Sequence, residues 1–287
     1  MKIAILGSFD CHLECIGFLL EIYNHYENKI DIYLKNNSDK LGWINHYKDL
    51  YDFSIFYDKF SDEIIKTYDK IFKLTSHDPC LDDSKIVSIL HLDGIDQRKC
   101  KSDKLLSLTP YIKGENIINI FPIYRPLLNI SDFTNTIIMI GAGHGSIDND
   151  AINFININSN YYFIFINADD IRINNINNVK LLPCINTDNL INLVNNCKYI
   201  LSKKRHWYDD RFCGQLSIAM SFEKPLIIDL KTKKKYNLPG LVFGENYSEI
   251  GNLDEISDEK YNNLKAEIKL EKEKILLANK ERFNKEF

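Results

Sequence analysis

The sequence predicts an α/β protein made of two β/α/β units in series and closed by a C-terminal helix. Three observations carry this reading. Short apolar runs alternate with segments of helical spacing from Lys2 to Phe121. The alternation breaks over Pro122 to Asn135, a candidate interdomain linker, and restarts at Thr136. From Ser257 onward the composition is strongly helical.

The first unit opens with Lys2 to Leu6, a continuous apolar run ending at Gly7, as for a strand buried on both faces. Leu13 to Tyr26 has helical spacing and Ile30 to Leu34 supplies the next strand, a Rossmann-like opening. The full Gly-x-Gly-x-x-Gly fingerprint is absent, because the next glycine after Gly7 is Gly17, inside the helix. A simple dehydrogenase is therefore disfavoured. Phe53 to Tyr57 reads as a strand, Ser61 to Tyr68 as a helix, and Lys70 to Leu74 and Lys85 to Leu90 as further strands; Lys104 to Thr109 follows, and Asn116 to Phe121 completes the first unit.

The second unit begins with a strand over Thr136 to Ile140, followed by a helix over Asp148 to Asn156. Tyr161 to Asn167 and Val179 to Leu182 are strands, and Asn186-Thr-Asp-Asn189 can cap a helix running through Asn196. Tyr199 to Leu201 is a strand, then come a charged loop, a helix, and a strand over Pro225 to Leu230. Tyr236 to Phe243 follows with a Pro239-Gly240 turn.

The chain of 287 residues is long enough for one large or two modest domains, and its 45% hydrophobic and 26% charged residues are those of a globular protein. A net charge of −4 supplies no broad basic field, so a nucleic-acid polymer is not the favoured partner. No apolar run is long enough to span a membrane, and the start is too weakly apolar for a signal peptide. The seven cysteines form no Cys-x-x-Cys pair, which speaks against structural zinc and for reduced thiols in a cytoplasmic compartment. The abundance of Asn, Ile and Lys fits an AT-rich genome, such as that of a large DNA virus, a protist or a low-GC bacterium. A viral source would place the protein in the host cytoplasm.

The chemistry concentrates between Lys198 and Leu230. Ligands of open α/β sheets bind where strand ends feed helix starts, and a helix N-terminus offers free N–H groups and a positive dipole end to an anion. Asp210, Phe212, Ala219-Met220 and Lys224-Pro225 follow one another here. In that order they resemble the carboxy-terminal donor-binding segment of GT-B glycosyltransferases, in particular its GT4-like form. Ile218 stands where the family carries a second Glu that commonly holds the ribose hydroxyls.

The resemblance implies two Rossmann-like domains facing each other across a cleft. An acceptor-side domain would cover 1–128, a nucleotide-sugar donor domain 129–256, and a closing helix 257–287 would pack back on the first domain. It implies a hexosyl-type transfer from a nucleotide sugar to a hydroxyl acceptor such as a glycan, with no cofactor and no obligatory metal.

Each candidate residue has a functional and a structural reading. Lys203, Lys204 and Arg205 can neutralise a diphosphate, whose charge develops as it leaves, or form a solvated loop. By resemblance Asp210 orients the donor while the backbone near Gly214, Gln215 and Ser217 approaches its phosphates; alternatively Asp210 caps the helix. Gly141, Gly143 and Gly145 alternate after a strand, as in an anion-binding nest or any tight turn. Asp10 and His12 follow the first strand, where inverting GT-B enzymes often place the base. His12 leads, because imidazole titrates near neutrality. His91 and Asp93 end another strand and are candidate sugar contacts. Asp169-Asp170 would suit the metal of a GT-A enzyme, but the restart at Thr136 argues against that topology. Two other functions remain open: an inactive GT-B-like module that binds a glycan or protein, favoured by Ile218, and a nucleotide-sugar epimerase. The oligomeric state is not set by the sequence.

Overall fold

Apolar runs rich in β-branched and aromatic residues form two parallel sheets, the pattern expected where helices cover both sheet faces. The computed structural model describes residues 1–7, 13–24, 28–35, 39–57, 60–74, 84–90, 104–109, 114, 116–128, 134–141, 147–167, 173, 175–204 and 212–286. The chain divides into two compact units. One comprises residues 1–125, 208–214 and 275–287, and the other 126–207 and 215–274.

In the first unit the strands are β1 (Lys2–Gly7), β2 (Lys29–Leu34), β3 (Ser54–Phe56), β4 (Lys70–Lys73), β5 (Ile86–Leu90), β6 (Lys104–Ser107) and β7 (Ile117–Asn119). They pair in the order β3-β2-β1-β4-β5-β6-β7, and each pairing is parallel. A 3-10 turn, Leu13–Cys15, leads into helix α1 (Ile16–Tyr23), all of whose residues are buried. The helix is therefore shorter at both ends than the expected Leu13 to Tyr26. Helix α2 (Trp43–Lys48) lies in a stretch to which the sequence reading assigned no element. Helix α3 (Asp62–Ile65) is capped by Ser61 and ends where the Thr67 hydroxyl donates to the Ile64 carbonyl at 2.8 Å, short of the expected Tyr68.

Two buried polar groups pin this unit. Glu21 on α1 accepts from the Arg125 guanidinium, from the Arg125 backbone N–H at 3.1 Å and from the Tyr51 hydroxyl at 2.8 Å. Burial alone would raise its pKa, but these donors together hold the carboxyl below its usual range. Asp31 on β2 accepts from the Tyr68 hydroxyl at 2.7 Å, which itself lies 2.8 Å from the Tyr33 hydroxyl.

The second unit carries β8 (Thr136–Ile140), α4 (Asn149–Ile157), β9 (Tyr162–Ile166), β10 (Val179–Leu182), α5 (Thr187–Asn196) and β11 (Tyr199–Leu201). After them come α6 (Gly214–Ser221), β12 (Leu226–Asp229), α7 (Leu230–Tyr236) and β13 (Leu241–Phe243). The sheet order is β10-β9-β8-β11-β12-β13, again parallel throughout. The expected strand to Leu230 stops one residue early, because the Asp229 carboxylate accepts from the Thr232 N–H at 2.8 Å and caps α7. That lysine-rich helix lies mainly in residues 231–235, to which the sequence assigned no element. Asn186 caps α5 as expected, accepting from the Asn189 N–H at 2.9 Å.

The last helix is α8 (Asp258–Glu286). Its residues 275–286 belong to the first unit. There the Phe283 ring packs 5.7 Å from Tyr23 and 6.1 Å from Phe72, and the Asn279 amide donates to the Phe121 carbonyl at 2.8 Å. Buried lysines close two helices of the second unit. Lys224 donates to the Asn195 carbonyl at 2.7 Å at the end of α5, and Lys272 to the Ser221 carbonyl at 2.7 Å at the end of α6. Cations there complement the negative dipole end. Among the described residues no helix is long and apolar enough to cross a membrane, and Cys15, Cys184, Cys197 and Cys213 are free thiols.

Candidate functional site

In both sheets the strand order reverses once, between β1 and β4 and between β8 and β11. Beyond the carboxyl ends of such neighbouring strands the loops part and leave room for a ligand. The two units treat this place differently. At Gly7, which closes β1, an added Cβ would lie 3.2 Å from Leu13, Leu34 and Leu74. At Gly141, just after β8, it would meet nothing within 4 Å among the described residues, and φ is +69°, a left-handed conformation that suits glycine. Among the described residues the roomier switch point is that of the second unit.

Two further segments converge around it. The exit of β11 supplies Ser202, Lys203 and Lys204. Helix α6 supplies Gln215 in its first turn, whose side-chain amide donates to the Leu201 carbonyl and ties the helix to the strand end. Among the described residues, the Gln215 Oε1 and Ser202 Oγ atoms are buried with no hydrogen-bond partner. Ser217 and Ile218, 6% and 5% exposed, continue a helix buried on every side from Gln215 to Ser221. Ile218 thus fills a core position where a carboxylate would need partners.

Behind these segments lies a polar cluster. The Lys204 ammonium, on a side chain 8% exposed, is 2.6 Å from Asp150, 3.1 Å from Asp148 and 4.6 Å from the centre of the Tyr247 ring. The Lys204 N–H donates to the Tyr247 hydroxyl at 3.0 Å, which donates to the Ser202 carbonyl at 3.1 Å. Asp150 also accepts from the Tyr247 N–H at 2.5 Å and from the Ser248 hydroxyl at 2.6 Å. Burial works to raise the Asp150 pKa, but the donors from Lys204, Ser248 and Tyr247 outweigh it and hold the carboxyl below its usual value. Burial first, and then the surrounding carboxylates, push the Tyr247 hydroxyl well above the ordinary tyrosine range, so it stays protonated and can donate. One residue therefore ties together the start of α4, the exit of β11 and the turn after β13.

Of the candidates named from sequence, Gly141, Lys203, Lys204, Gly214, Gln215 and Ser217 are described. Gly141 and Lys203 stand at the β8/β11 switch point, and Gly214 and Gln215 open α6. Lys204 is turned into the carboxylate cluster. Asp10, His12, His91, Asp93, Gly143, Gly145, Arg205, Asp210, Asp169 and Asp170 lie outside the described residues. The cluster residues Asp148, Asp150 and Tyr247 were not singled out; an Asp-x-Asp pair at a helix start was their only sequence signal. Among the described residues no group of three His, Cys, Asp or Glu side chains is arranged to hold a metal ion.

No protein-family model matches the chain, and no curated protein matches it in sequence. Solved structures do share its fold. HepE from Anabaena, in complex with UDP and glucose, is similar with a TM-score of 0.64 and 12% identity, over 99% of this chain and 98% of that one. A UDP-N-acetylglucosamine 2-epimerase gives 0.54 and 9% over 93% and 90%. MnaA from S. aureus, solved with UDP, gives 0.52 and 10% over 93% and 91%. At these identities the likeness establishes the fold: two Rossmann-like parallel α/β units with a C-terminal helix, as in GT-B-like proteins.

Proposed function

We propose that this protein is a nucleotide-sugar-dependent enzyme whose donor diphosphate binds at the β8/β11 switch point and whose sugar passes to a hydroxyl acceptor. The observation that carries the reading is the switch point at the carboxyl edge of the second sheet, where Gly141, the exit of β11 and the first turn of α6 meet. Likeness in fold to HepE, which has been solved with UDP-glucose, supports it. In the reaction the acceptor oxygen attacks the anomeric carbon, the bond from that carbon to the diphosphate oxygen breaks, and the acceptor proton goes to a base. His12 is the proposed base, with Asp10 as its alternative, and His91 and Asp93 are proposed sugar contacts. Backbone N–H groups at the start of α6, with Lys203, Arg205 and the loop from Gly141 to Gly145, would hold the charge that develops on the leaving diphosphate. Asp210 would orient the donor sugar.

A second reading, epimerisation of the nucleotide sugar, is favoured by the fold shared with a UDP-N-acetylglucosamine 2-epimerase. One experiment separates the two. UDP-glucose and UDP-N-acetylglucosamine are incubated with the protein, with and without simple sugar acceptors, and followed by NMR. Release of UDP that requires an acceptor supports transfer, and a new UDP-sugar without acceptor supports epimerisation. Unchanged sugars, together with no UDP binding by calorimetry, would overturn both.

A further inference from the structure

Two adjacent lysines at the exit of β11 have opposite surroundings. Lys204 is 8% exposed and its ammonium is shared by Asp148 and Asp150. Lys203 is half-buried and, among the described residues, makes no hydrogen bond or ion pair. A buried ammonium loses hydration that its two carboxylates and the Tyr247 ring restore, so Lys204 is held away from a ligand. The cluster of two carboxylates and one ammonium also carries a net negative charge and would by itself repel an anion.

We infer that Lys203 is the lysine this edge presents to a nucleoside diphosphate, and that Asp150, acting through Lys204, is the residue that positions it. The inference rests on the nucleotide reading above and deepens it. Asp150 holds the Lys204 ammonium and the Tyr247 N–H, while the Tyr247 hydroxyl holds the Lys204 N–H and the Ser202 carbonyl. The backbone on either side of Lys203 is thereby fixed by side chains from elsewhere in the unit. The ligand side then gains a cation carried on a backbone held on both sides, which lowers the ordering cost of binding.

The test is calorimetric titration of the intact protein with UDP at two salt concentrations, alongside thermal unfolding. Lys203→Met should weaken UDP binding about tenfold or more, as expected for loss of one charged hydrogen bond. It should also flatten the salt dependence and leave the melting temperature unchanged, while Lys203→Arg retains binding. Lys204→Met should lower the melting temperature by leaving the half-buried Asp150 carboxylate without its cation. The double variant Asp150→Asn/Lys204→Met should recover stability but bind UDP several-fold more weakly than wild type, the signature of positioning rather than of folding. If UDP affinity returns with stability in the double variant, the positioning role is overturned. UDP binding undiminished in Lys203→Met removes this inference alone, whereas no UDP binding to wild type removes the nucleotide reading with it.

Discussion

The Lys272 ammonium of α8 lies 2.7 Å from the Ser221 carbonyl and 3.0 Å from the Glu223 carboxylate, closing the C-terminus of α6, the helix whose first turn faces the candidate site. Its side chain is 3% exposed, so the interaction is shielded from competing water. Lys272→Met keeps the stem and removes the charge. It is expected to cost about 1.5–3 kcal/mol in urea unfolding, the range for a hydrogen bond to a charged group. A loss below about 0.5 kcal/mol would mean that the dipole end is satisfied without it.

Gly17 lies inside α1, where a glycine ordinarily costs helix stability. A Cβ there would stand 2.7 Å from the Tyr47 ring and 2.9 Å from the Tyr124 ring. Both rings are buried and packed on each other, with centroids 5.5 Å apart. Gly17→Ala gains about 1 kcal/mol of helix propensity but incurs about 1–3 kcal/mol of overpacking. The net expectation is destabilisation, read as a lower denaturation midpoint at unchanged slope.

Asn158 binds three backbone groups at once. Its amide donates to the Phe154 carbonyl at 2.9 Å and the Gly251 carbonyl at 3.1 Å, and its oxygen accepts from the Leu253 N–H at 2.7 Å. At 1% exposure water cannot replace it. Asn158→Ala should cost about 2–4 kcal/mol, and hydrogen exchange at Leu253 should accelerate.

Cys197 is fully buried, and burial pushes its thiol up to about 12 from an ordinary 9 despite nearby Lys224. In the unfolded chain the thiol ionises above pH 9, whereas in the folded chain it stays protonated until about pH 12. Its contribution is therefore intact below pH 9 and is lost progressively between pH 9 and 12. At pH 10.5 the loss amounts to about 2 kcal/mol. Measured against Cys197→Ala, the wild-type advantage should shrink across that window. At neutral pH a thiol reagent should label exposed Cys184 and spare Cys197 and Cys15.

Strands were the most legible part of the fold. Runs such as Lys2 to Leu6 and Thr136 to Ile140 read as buried strands because an apolar stretch covered on both sides needs no alternation. Helices α2 and α7 were not legible. Trp43–Lys48 is a single short stretch with no repeating period, and Leu230–Tyr236 is dominated by lysines and declared only by the Asp229 cap. The exits of β8 and β11 were found by the logic of strand ends. The role of Lys204 was not, since its partner Asp150 lies 54 residues away and only the parallel pairing of β8 with β11 brings their loops together. Nor could Ile218 be read as a core side chain until α6 was seen to be buried on all sides.

The contribution of α8 to the first unit sets the order of synthesis against the order of assembly. A ribosome releases residues 1–125 long before Phe283, Asn279 and Arg282. Yet Phe283 completes the aromatic packing of Tyr23 and Phe72, and Asn279 and Arg282 bind the backbone carbonyls of Phe121 and Asn119. Chains usually consolidate from the amino end as they emerge. Here the unit that is begun first is finished late, so Tyr23 and Phe72 lack the ring of Phe283 until the last turns of α8 have been made.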